Sequence, residues 1–590
     1  MSLRTLNDVF FAVVERNLPE VMLHRVHGEW ARLSAADLYR SVAGVSQALA
    51  GWGIRQGDRV AILSENRPEW AVADFACQLL GVATVPVYPT LTPEQISFLL
   101  CDAGTRAIFV SSQAQLQKIL AIQAQTPLEK IVLMDEAQGG HTIPMQRLMQ
   151  QGPRQRDEQL ETGARQIAPE DLATIIYTSG TTGTPKGVTL SHGNMASNLS
   201  CSLSGFGAGP GDVSVSFLPL SHVTARHVDF VLLYHGVTLA YVPFASHLPQ
   251  ALVEVRPTVF VAVPRVYEKI YAQAEVKTKS GPKRWIYHWA LRVGESHREE
   301  VLAGRTPKSL AWKIANRLVY SQVRAGMGGR VRLFISGGAP LGIELAKWYA
   351  TVGIRIHEGY GLTETSPVIA VNSPLAHRLG TVGQPLSNVE VRIAPDGEIL
   401  VRGPSVFRGY WNNPAETAAA FEGDWFKTGD IGKLDSDGFL SVTDRKKDLI
   451  KTSGGKFIAP QPLENSLKHN PLIAEAVILG DRRKFPAVLL APYFPLLEEW
   501  ARANSLAFSS REELVAFERV QELFEGIVQD LNQKLAQFEK LKKVLLVAEE
   551  FSAENGLLTV SMKLRRRAAE DRYREKIEEL YHQAEAVVES

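Results

Sequence analysis

The sequence has little cysteine and almost no net charge. Cys77, Cys101 and Cys201 are its three cysteines, an odd number without CxxC spacing, which argues against a disulfide framework or a zinc site and favours a reducing cytoplasm. The formal net charge of +1 provides no overall attraction to nucleic acid. Nucleic acid is therefore not expected as a partner, and any electrostatic recognition must come from a local patch.

Long apolar runs are also missing. The first eight residues turn polar before an apolar region of signal-peptide length develops, so we expect no export. The longest apolar stretch, residues 230–245, contains His235 and Gly236 and falls short of the ~20 residues needed to cross a bilayer. We interpret it as buried strands.

The bulk composition is that of an ordinary globular protein. Hydrophobic residues make up 45% and charged residues 22% of the 590 residues, which argues against wholesale disorder and fibrous repeats. Since single cores rarely grow beyond ~250–300 residues, we expect two or more domains.

Strand-like and helix-like patterns alternate through the first half of the chain. Residues 57–63 form a short apolar run after a turn, residues 68–80 have a helical pattern, and residues 82–88 form a second run. Similar runs recur at 107–110, 130–134, 174–177, 259–263 and 331–335. The alternation predicts a layered α/β body.

The pattern changes after about residue 380. Short strands and turn sequences at 395–397 and 435–438 predict a small β-rich subdomain up to about residue 442. The charged segment 444–448 precedes a region in which helical patterns dominate. We therefore predict an α/β fold with a large N-terminal body of several subdomains, residues 1–444, and a smaller, mobile α+β C-terminal domain, residues 445–590.

One loop carries the clearest chemical signal, Tyr177-Thr-Ser-Gly-Thr-Thr-Gly-Thr-Pro-Lys-Gly187. Its glycines allow backbone N–H groups to approach phosphate oxygens, its hydroxyls donate further hydrogen bonds, and Lys186 adds a positive charge. It is not a Walker motif, because Pro185 precedes the lysine and Gly187 follows it. The alternative interpretation of these residues is a flexible, polar surface loop without a ligand.

The whole string resembles the signature loop of the adenylate-forming superfamily, which includes acyl-CoA synthetases, luciferase and peptide-synthetase adenylation domains. The segments 217–222 (FLPLSH), 359–364 (GYGLTE), 425–430 (WFKTGD) and 444–448 (DRKKD) follow in the family order. Segments 263–269, 334–341 and 557–564 are most similar to those of long-chain fatty acyl-CoA synthetases. The resemblance covers nearly the whole chain.

The resemblance implies an ATP site in the N-terminal body. Glu364 would hold Mg²⁺, which binds through one or two carboxylates together with phosphates, and Asp430 offers two acceptors to the ribose hydroxyls. Without the family motifs, a solvated carboxylate and a turn cap would explain these two acids equally well. The ATP-binding residues implied are Thr178, Ser179, Gly180, Thr181, Thr182, Gly183, Lys186, Gly338, Ala339, Tyr360, Gly361, Thr363, Asp430 and Arg445.

The resemblance also implies the catalytic groups and the second half of the site. Lys563 matches the catalytic lysine of the family, although Met562 stands where glycine is usual. Gly454 and Gly455 would line the path of the coenzyme A arm, and Lys447 matches the hinge position. The implied catalytic residues are Lys563, His222, Thr363, Glu364 and Lys186. His222 would orient the substrate carboxylate, and its alternative role is purely structural.

The function implied is an ATP-dependent long-chain fatty acid–CoA ligase, with fatty acid, ATP, Mg²⁺ and coenzyme A as substrates and cofactors. A fatty acyl-AMP ligase or a ligase for another acid would use the same motifs. A catalytically silent lipid-binding homologue would have no need to retain Lys186, Glu364, Asp430, Arg445 and Lys563, so their retention argues against it.

The local patch is the basic segment, residues 277–332. It contains thirteen Lys and Arg against three Glu, interleaved with Trp285, Tyr287, Trp289, Trp312 and Tyr320. A basic helix with interfacial aromatics can lie on anionic lipid, whereas a solvated helix pair with its aromatics in the core explains the pattern as well. Peripheral contact with the inner face of a membrane is therefore a hypothesis.

Overall fold

The computed structural model of the protein describes residues 3–136, 142–178, 185–278, 281–453, 456–552, 554–559 and 564–589. The strands in chain order are β1 (Met22–Val26), β2 (Glu29–Leu33), β3 (Arg59–Leu63), β4 (Ala83–Val87), β5 (Ala107–Val110), β6 (Lys130–Leu133), β7 (Ile143–Pro144), β8 (Leu172–Thr178), β9 (Lys186–Ser191), β10 (Val213–Ser216), β11 (Thr238–Tyr241), β12 (Val259–Ala262), β13 (Leu333–Ser336), β14 (Ile356–Gly361), β15 (Val368–Val371), β16 (Gln384–Pro385), β17 (Glu390–Ile393), β18 (Glu398–Arg402), β19 (Gly409–Tyr410), β20 (Phe421–Glu422), β21 (Trp425–Leu434), β22 (Leu440–Arg445), β23 (Ile450–Lys451), β24 (Phe457–Ile458), β25 (Ile473–Leu479), β26 (Ala487–Pro492) and β27 (Val544–Leu546).

The helices in chain order are α1 (Leu6–Arg16), α2 (Ala35–Gly51), α3 (Pro68–Leu79), α4 (Pro93–Ala103), α5 (Gln113–Ile122), α6 (Met145–Gln151), α7 (Glu158–Gln166), α8 (His192–Ser202), α9 (Val223–His235), α10 (Leu248–Val255), α11 (Pro264–Lys277), α12 (Gly281–Leu302), α13 (Leu310–Ala315), α14 (Ser321–Ala325), α15 (Ile343–Thr351), α16 (Pro414–Ala420), α17 (Pro460–Lys468), α18 (Phe494–Ala503), α19 (Arg511–Ala516), α20 (Glu518–Asn532), α21 (Arg566–Arg572) and α22 (Arg574–Glu589). A π-helical turn, Asn316–Tyr320, joins α13 to α14.

Two large sheets form the N-terminal body. One has the order β19-β9-β8-β4-β3-β5-β6-β7 and the other β16-β15-β14-β13-β12-β10-β11-β1-β2. Their central strands run parallel, and these strands are buried on both faces, as their continuous apolar runs require. The predicted β-α-β pattern at residues 57–88 is confirmed as β3, α3 and β4.

The predicted β-rich subdomain is a separate sheet of order β17-β18-β21-β20, with β22 paired to β21. The turns predicted at 395–397 and 435–438 connect β17 to β18 and β21 to β22. Gly397 and Gly438 occupy them with φ of +86° and +79°, the left-handed region that favours glycine. This sheet positions Asp430 and Arg445.

The C-terminal region builds its own core around the sheet β25-β26-β27. It packs against α11 of the N-terminal body, where the Arg265 guanidinium donates to the Ala474 carbonyl at 2.5 Å and the ring of Tyr271 stacks on His469 with centroids 5.2 Å apart. The α/β fold class with a smaller C-terminal unit is confirmed. The boundary at residue 444 and the mobility of the C-terminal unit stay predictions.

Residues 230–245 correct one expectation, since the first part of this apolar stretch is helical. α9 runs to His235 and ends at Gly236, whose φ of +82° caps the helix, and only then does β11 begin. Burial of most of the helix surface produced a continuous apolar run that resembles a strand. No helix among the described residues is long and apolar enough to span a membrane.

Candidate active site

The glycine- and hydroxyl-rich loop connects β8 to β9, which form an antiparallel hairpin. Thr178 and Lys186 face each other at the base of the loop. The predicted phosphate contacts Ser179, Gly180, Thr181, Thr182 and Gly183 lie outside the described residues. The hairpin therefore fixes the two ends of the loop, and with them the position of Lys186.

The Lys186 ammonium is held by two residues that lie far away in the sequence. It forms an ion pair with the Glu416 carboxylate and lies over the ring of Tyr410, 5.6 Å from its centroid. Tyr410 reaches this position because β19 pairs with β9, placing Tyr410 opposite Val188. Because the Lys186 side chain is only 16% exposed and Glu416 41%, the lysine is the more enclosed partner.

Glu364 lies on the other side of Tyr410. It belongs to a 3₁₀ turn, Thr363–Thr365, that follows β14, and its backbone carbonyl accepts from Phe407 N at 2.8 Å. The Tyr410 hydroxyl donates to Glu364 Oε1 at 3.0 Å. Burial raises the pKa of Glu364, against the lowering effect of its hydrogen bonds. Tyr410 thus joins the predicted phosphate lysine to the predicted metal ligand.

The donor set around Glu364 fits Mg²⁺. No group of three or more His, Cys, Asp or Glu side chains within the described ranges is arranged to hold a metal by itself. Mg²⁺ does not need one, because it is usually bound through one or two carboxylates together with phosphate oxygens and water. A single desolvated carboxylate, joined through Tyr410 to the lysine of the predicted phosphate-binding loop, fits this role.

Tyr360, Asp430 and Arg445 form a second cluster. The Tyr360 hydroxyl donates to Asp430 Oδ2 at 2.6 Å, and Arg445 Nε lies 3.1 Å from Asp430 Oδ1. Asp430 and Arg445 are opposite each other in the β21–β22 ladder. Burial and the Asp430 carboxylate together raise the pKa of Tyr360 well above its usual value, so the phenol stays protonated as a donor.

The two clusters lie close enough to interact electrostatically. The charges of both Arg445 and Asp430 act on the pKa of Glu364, and Glu364 in turn acts on that of Arg445. Burial opposes the charge of Arg445, but Asp430 and the other acidic groups around it raise its pKa overall. The Arg445 cation therefore lies near three acceptor or donor side chains, those of Asp430, Tyr360 and Glu364.

Glycines stand at two of the predicted ATP-binding positions. Gly338 and Ala339 follow β13, and Gly338 has a φ of +84°, which L side chains rarely adopt. Gly361 ends β14, where a Cβ would lie 1.8 Å from the Pro367 carbonyl oxygen, so no larger residue fits without movement of the backbone. These predicted ATP-binding residues lie at the carboxyl ends of the neighbouring parallel strands β13 and β14.

His222 lies at the junction of the two large sheets. It is the N-cap of α9, and its Nδ1 accepts from Thr224 N at 3.1 Å. Ser221, one residue earlier, donates to the carbonyl of Val87 at the end of β4, 3.0 Å away. The helix cap fixes the tautomer and orientation of the ring, with Nδ1 as acceptor and Nε2 carrying the proton.

The remaining predicted residues belong to the C-terminal half of the site. Gly454, Gly455 and Lys563 lie outside the described residues. Near the predicted hinge, the Asp444 carboxylate accepts from Gln461 N at 2.9 Å, at the start of α17. Burial raises the pKa of Asp444 to about 6 and lowers that of Lys447.

Sequence reasoning missed Tyr410 and Glu416. Both lie within Gly409-Tyr-Trp-Asn-Asn-Pro-Ala-Glu416, which by itself indicates only a turn followed by a helix. Their contacts with Lys186 arise from the β19–β9 pairing, which joins segments more than two hundred residues apart. Only the position of the tyrosine, next to a Gly and before a Pro-capped helix, offered a local signal.

Comparison with known proteins places this site in a family. Residues 10–411 match the AMP-binding enzyme family, and residues 447–585 match the AMP-binding enzyme C-terminal domain. The chain is 35% identical to the long-chain-fatty-acid–CoA ligase FadD15 of Mycobacterium bovis, covering 96% of both chains. It is 31% identical to long-chain-fatty-acid–CoA ligase 1 of Homo sapiens, covering 92% of this chain and 82% of that protein.

Solved structures give the same fold. The anthranilate CoA ligase AuaEII aligns with a TM-score of 0.74 at 20% identity, covering 97% of each chain. The A domain of the carboxylic acid reductase from Segniliparus rugosus aligns with a TM-score of 0.76 at 20% identity, covering 99% of this chain and 95% of that one. From the family matches over most of its length, the chain belongs to the AMP-binding enzyme family.

Proposed function

We propose that this protein is an AMP-forming, ATP-dependent long-chain fatty acid–CoA ligase. The observation that carries the proposal is the proximity of two side-chain clusters, Lys186, Tyr410 and Glu364 on one hand and Tyr360, Asp430 and Arg445 on the other. One group suits a triphosphate with its metal, and the other suits a ribose. The near full-length similarity to long-chain-fatty-acid–CoA ligases supports the choice of acid and acceptor.

The first step joins two anions. A carboxylate oxygen of the fatty acid attacks the α-phosphorus of ATP, a new P–O bond forms, and the bond to pyrophosphate breaks. Lys186 would bind the departing phosphates, Thr363 would donate to the α-phosphate, and His222 Nε2 would orient the carboxylate. Mg²⁺ held by Glu364 would neutralise charge on the phosphates. Preorganised donors of this kind typically contribute ~10²–10³ in rate each.

The second step transfers the acyl group. The thiol of coenzyme A attacks the acyl carbonyl, a thioester forms, and AMP leaves with the electron pair of the broken C–O bond. Lys563 would serve pyrophosphate departure in the first step only. Rotation of the C-terminal domain about Lys447 would then bring Gly454 and Gly455 to the site. The buried contact between Asp444 and α17 is where such a rotation would have to act.

A ligase for another acid remains the second candidate, because adenylate-forming relatives of the same fold act on other acids, such as the anthranilate CoA ligase. AMP release with C8 to C18 acids, with and without coenzyme A, decides between them. We expect the highest rate with long-chain acids and a strong dependence on coenzyme A. ATP–pyrophosphate exchange with long-chain acids but without coenzyme A-dependent release of AMP would instead identify a fatty acyl-AMP ligase, and activity confined to aromatic or short acids would contradict the proposal.

The ion pair between Lys186 and Glu416 makes a prediction about ATP. A triphosphate must take the place of the Glu416 carboxylate on the lysine, and the carboxylate also repels it. Glu416→Gln is therefore expected to lower the KM for ATP roughly twofold to fivefold with little change in kcat, as suits a half-exposed ion pair worth less than ~1 kcal/mol. Steady-state kinetics measures this, with Glu422→Gln, which alters an exposed carboxylate paired with Arg392, as the control. A raised KM would indicate that Glu416 positions the lysine instead.

We also propose a cytoplasmic setting with peripheral contact to the inner face of a membrane. The scattered free cysteines support a reducing compartment, and Cys77 is completely buried. Long-chain fatty acids partition into bilayers, so an enzyme that uses them gains access to its substrate by lying against lipid. The basic segment, residues 277–332, is the candidate for this contact.

A further inference from the structure

The aromatic residues of the basic segment do not form its outer surface. Tyr287, Trp312 and Tyr320 are 2%, 5% and 0% exposed and pack into the core beneath α12 and α13. The Tyr320 hydroxyl donates to the Ala290 carbonyl at 2.5 Å, which fixes the π-helical turn against α12. Apart from Trp285 and a half-buried Trp289, the aromatic part of the membrane hypothesis is therefore accounted for by the core.

A different apolar surface is exposed on the same segment. Leu310, Ile314 and Leu318 are 74%, 44% and 50% exposed, and they are four residues apart. This spacing places them on one face of the helical stretch formed by α13 and the π-helical turn. The opposite face carries the buried Trp312, Ala315 and Val319. The helix is thus apolar on two faces, and only one of them is covered.

The sequence segment that carries this face is basic. Residues 301–343 contain no Asp or Glu, and seven Lys and Arg lie between 301 and 332. Arg305, Lys308, Lys313 and Arg317 are exposed, and among the described residues no ion pair involves Lys308, Lys313 or Arg317. We call Leu310, Ile314 and Leu318 with these four cations the basic apolar stripe.

We propose that the basic apolar stripe docks the protein on an anionic lipid bilayer, with the three aliphatic side chains inserted between head groups and the cations on their phosphates. Charge favours this occupant: a row of aliphatic residues between cations, in a segment (residues 301–343) without an acid, matches a negatively charged interface with an apolar layer beneath it. A second copy of the chain would place the same cations against each other, and the cores of protein interfaces are typically depleted of lysine. The proposal rests on the fatty acid ligase function, which makes the bilayer the source of the substrate.

Vesicle sedimentation of the full chain tests the docking. We expect binding to vesicles of phosphatidylcholine with phosphatidylglycerol, and much weaker binding to phosphatidylcholine alone or at high salt. Lys313→Glu with Arg317→Glu is expected to weaken binding about 25-fold or more, since each basic residue near an anionic surface contributes about fivefold. The triple variant Leu310→Ser, Ile314→Ser, Leu318→Ser is expected to lose most binding even to anionic vesicles.

Matched variants separate the stripe from general changes of charge and hydrophobicity. Arg502→Glu with Arg574→Glu changes two exposed arginines elsewhere, and Val253→Ser changes an exposed apolar residue of α10. Both are expected to bind vesicles as the unaltered protein does. Binding unaffected by either stripe variant, equal binding to neutral and anionic vesicles, or concentration-dependent dimerisation abolished by the stripe variants would overturn the proposal.

Ligase activity on a fatty acid below its critical micelle concentration, without vesicles, distinguishes this proposal from the proposed function. We expect stripe variants to retain full activity and the same Tm in that assay, while losing the advantage of vesicle-bound substrate. Vesicle binding by a protein without ligase activity would contradict the function and leave the docking surface standing. Full ligase activity with no vesicle binding would support the proposed function and contradict the docking surface.

Discussion

Glu364→Gln is expected to lower kcat for acyl-adenylate formation about 10²–10³-fold, the usual cost of removing one preorganised group that stabilises transition-state charge. The amide keeps the size of the side chain and can still accept from the Tyr410 hydroxyl, so the fold is expected to stay intact. What it loses is the negative charge that a divalent cation requires. ATP–pyrophosphate exchange measured over a range of Mg²⁺ concentrations detects both the lower kcat and the weaker binding of the cation. Weaker metal binding should raise the half-saturating Mg²⁺ concentration.

Tyr410→Phe distinguishes the charge of Glu364 from its placement. This variant removes the hydroxyl that donates to Glu364 Oε1 but keeps the ring beneath Lys186. We expect Tyr410→Phe to lower the rate of ATP–pyrophosphate exchange about tenfold, because the free energy of one hydrogen bond to a charged group is of this order. Glu390→Gln, which alters an exposed carboxylate of β17, is the control and should change nothing. If Glu364→Gln reduced exchange no more than that control, Glu364 would not be the metal ligand.

Local sequence predicted the strands and turns around the site better than the contacts between distant segments. Strands such as β3 and β4 and the turns at Gly397 and Gly438 follow from short-range patterns, and the structure confirms them. The motif residues Tyr360, Asp430 and Arg445 were each named from their own segment, and their meeting depends on the β21–β22 pairing and the position of β14. The family resemblance indicated that these three residues belong to one site, whereas hydrophobic periodicity could not.

Tertiary packing explains what the sequence did not reveal. Tyr410 and Glu416 come to Lys186 through an edge strand of two residues, which is too short to have a recognisable pattern. The helical spacing of aromatics in the basic segment was compatible with a core face and with a lipid face, and burial of Trp312 and Tyr320 decided for the core. The exposed Leu310, Ile314 and Leu318 have the same period, so the sequence alone cannot tell the two faces apart.

Lys563→Ala is expected to reduce ATP–pyrophosphate exchange by ~10²–10³-fold or more while sparing thioester formation from pre-made acyl-AMP and coenzyme A. The physical reason is the difference in charge between the two steps. In the first step, negative charge develops on the pyrophosphate and on the transferring phosphorus oxygens, and a cation aimed there lowers the barrier. In the second step, the pyrophosphate has left and the phosphate of AMP is only a leaving group.

The neighbours of Lys563 supply the controls for this division of labour. Arg565 donates to the Gly556 carbonyl at 3.2 Å, and Lys542 lies at the start of the segment leading to β27. Arg565→Ala and Lys542→Ala should therefore keep most of the exchange activity, although each removes a positive charge from the same C-terminal domain. Equal loss of both half-reactions in Lys563→Ala would contradict the assignment, since a residue needed only for pyrophosphate departure cannot slow a step in which no pyrophosphate takes part. A selective loss would also imply that the C-terminal unit presents different surfaces in the two steps. Lys563 would act at the site during the first step, and the Gly454–Gly455 segment would act there during the second.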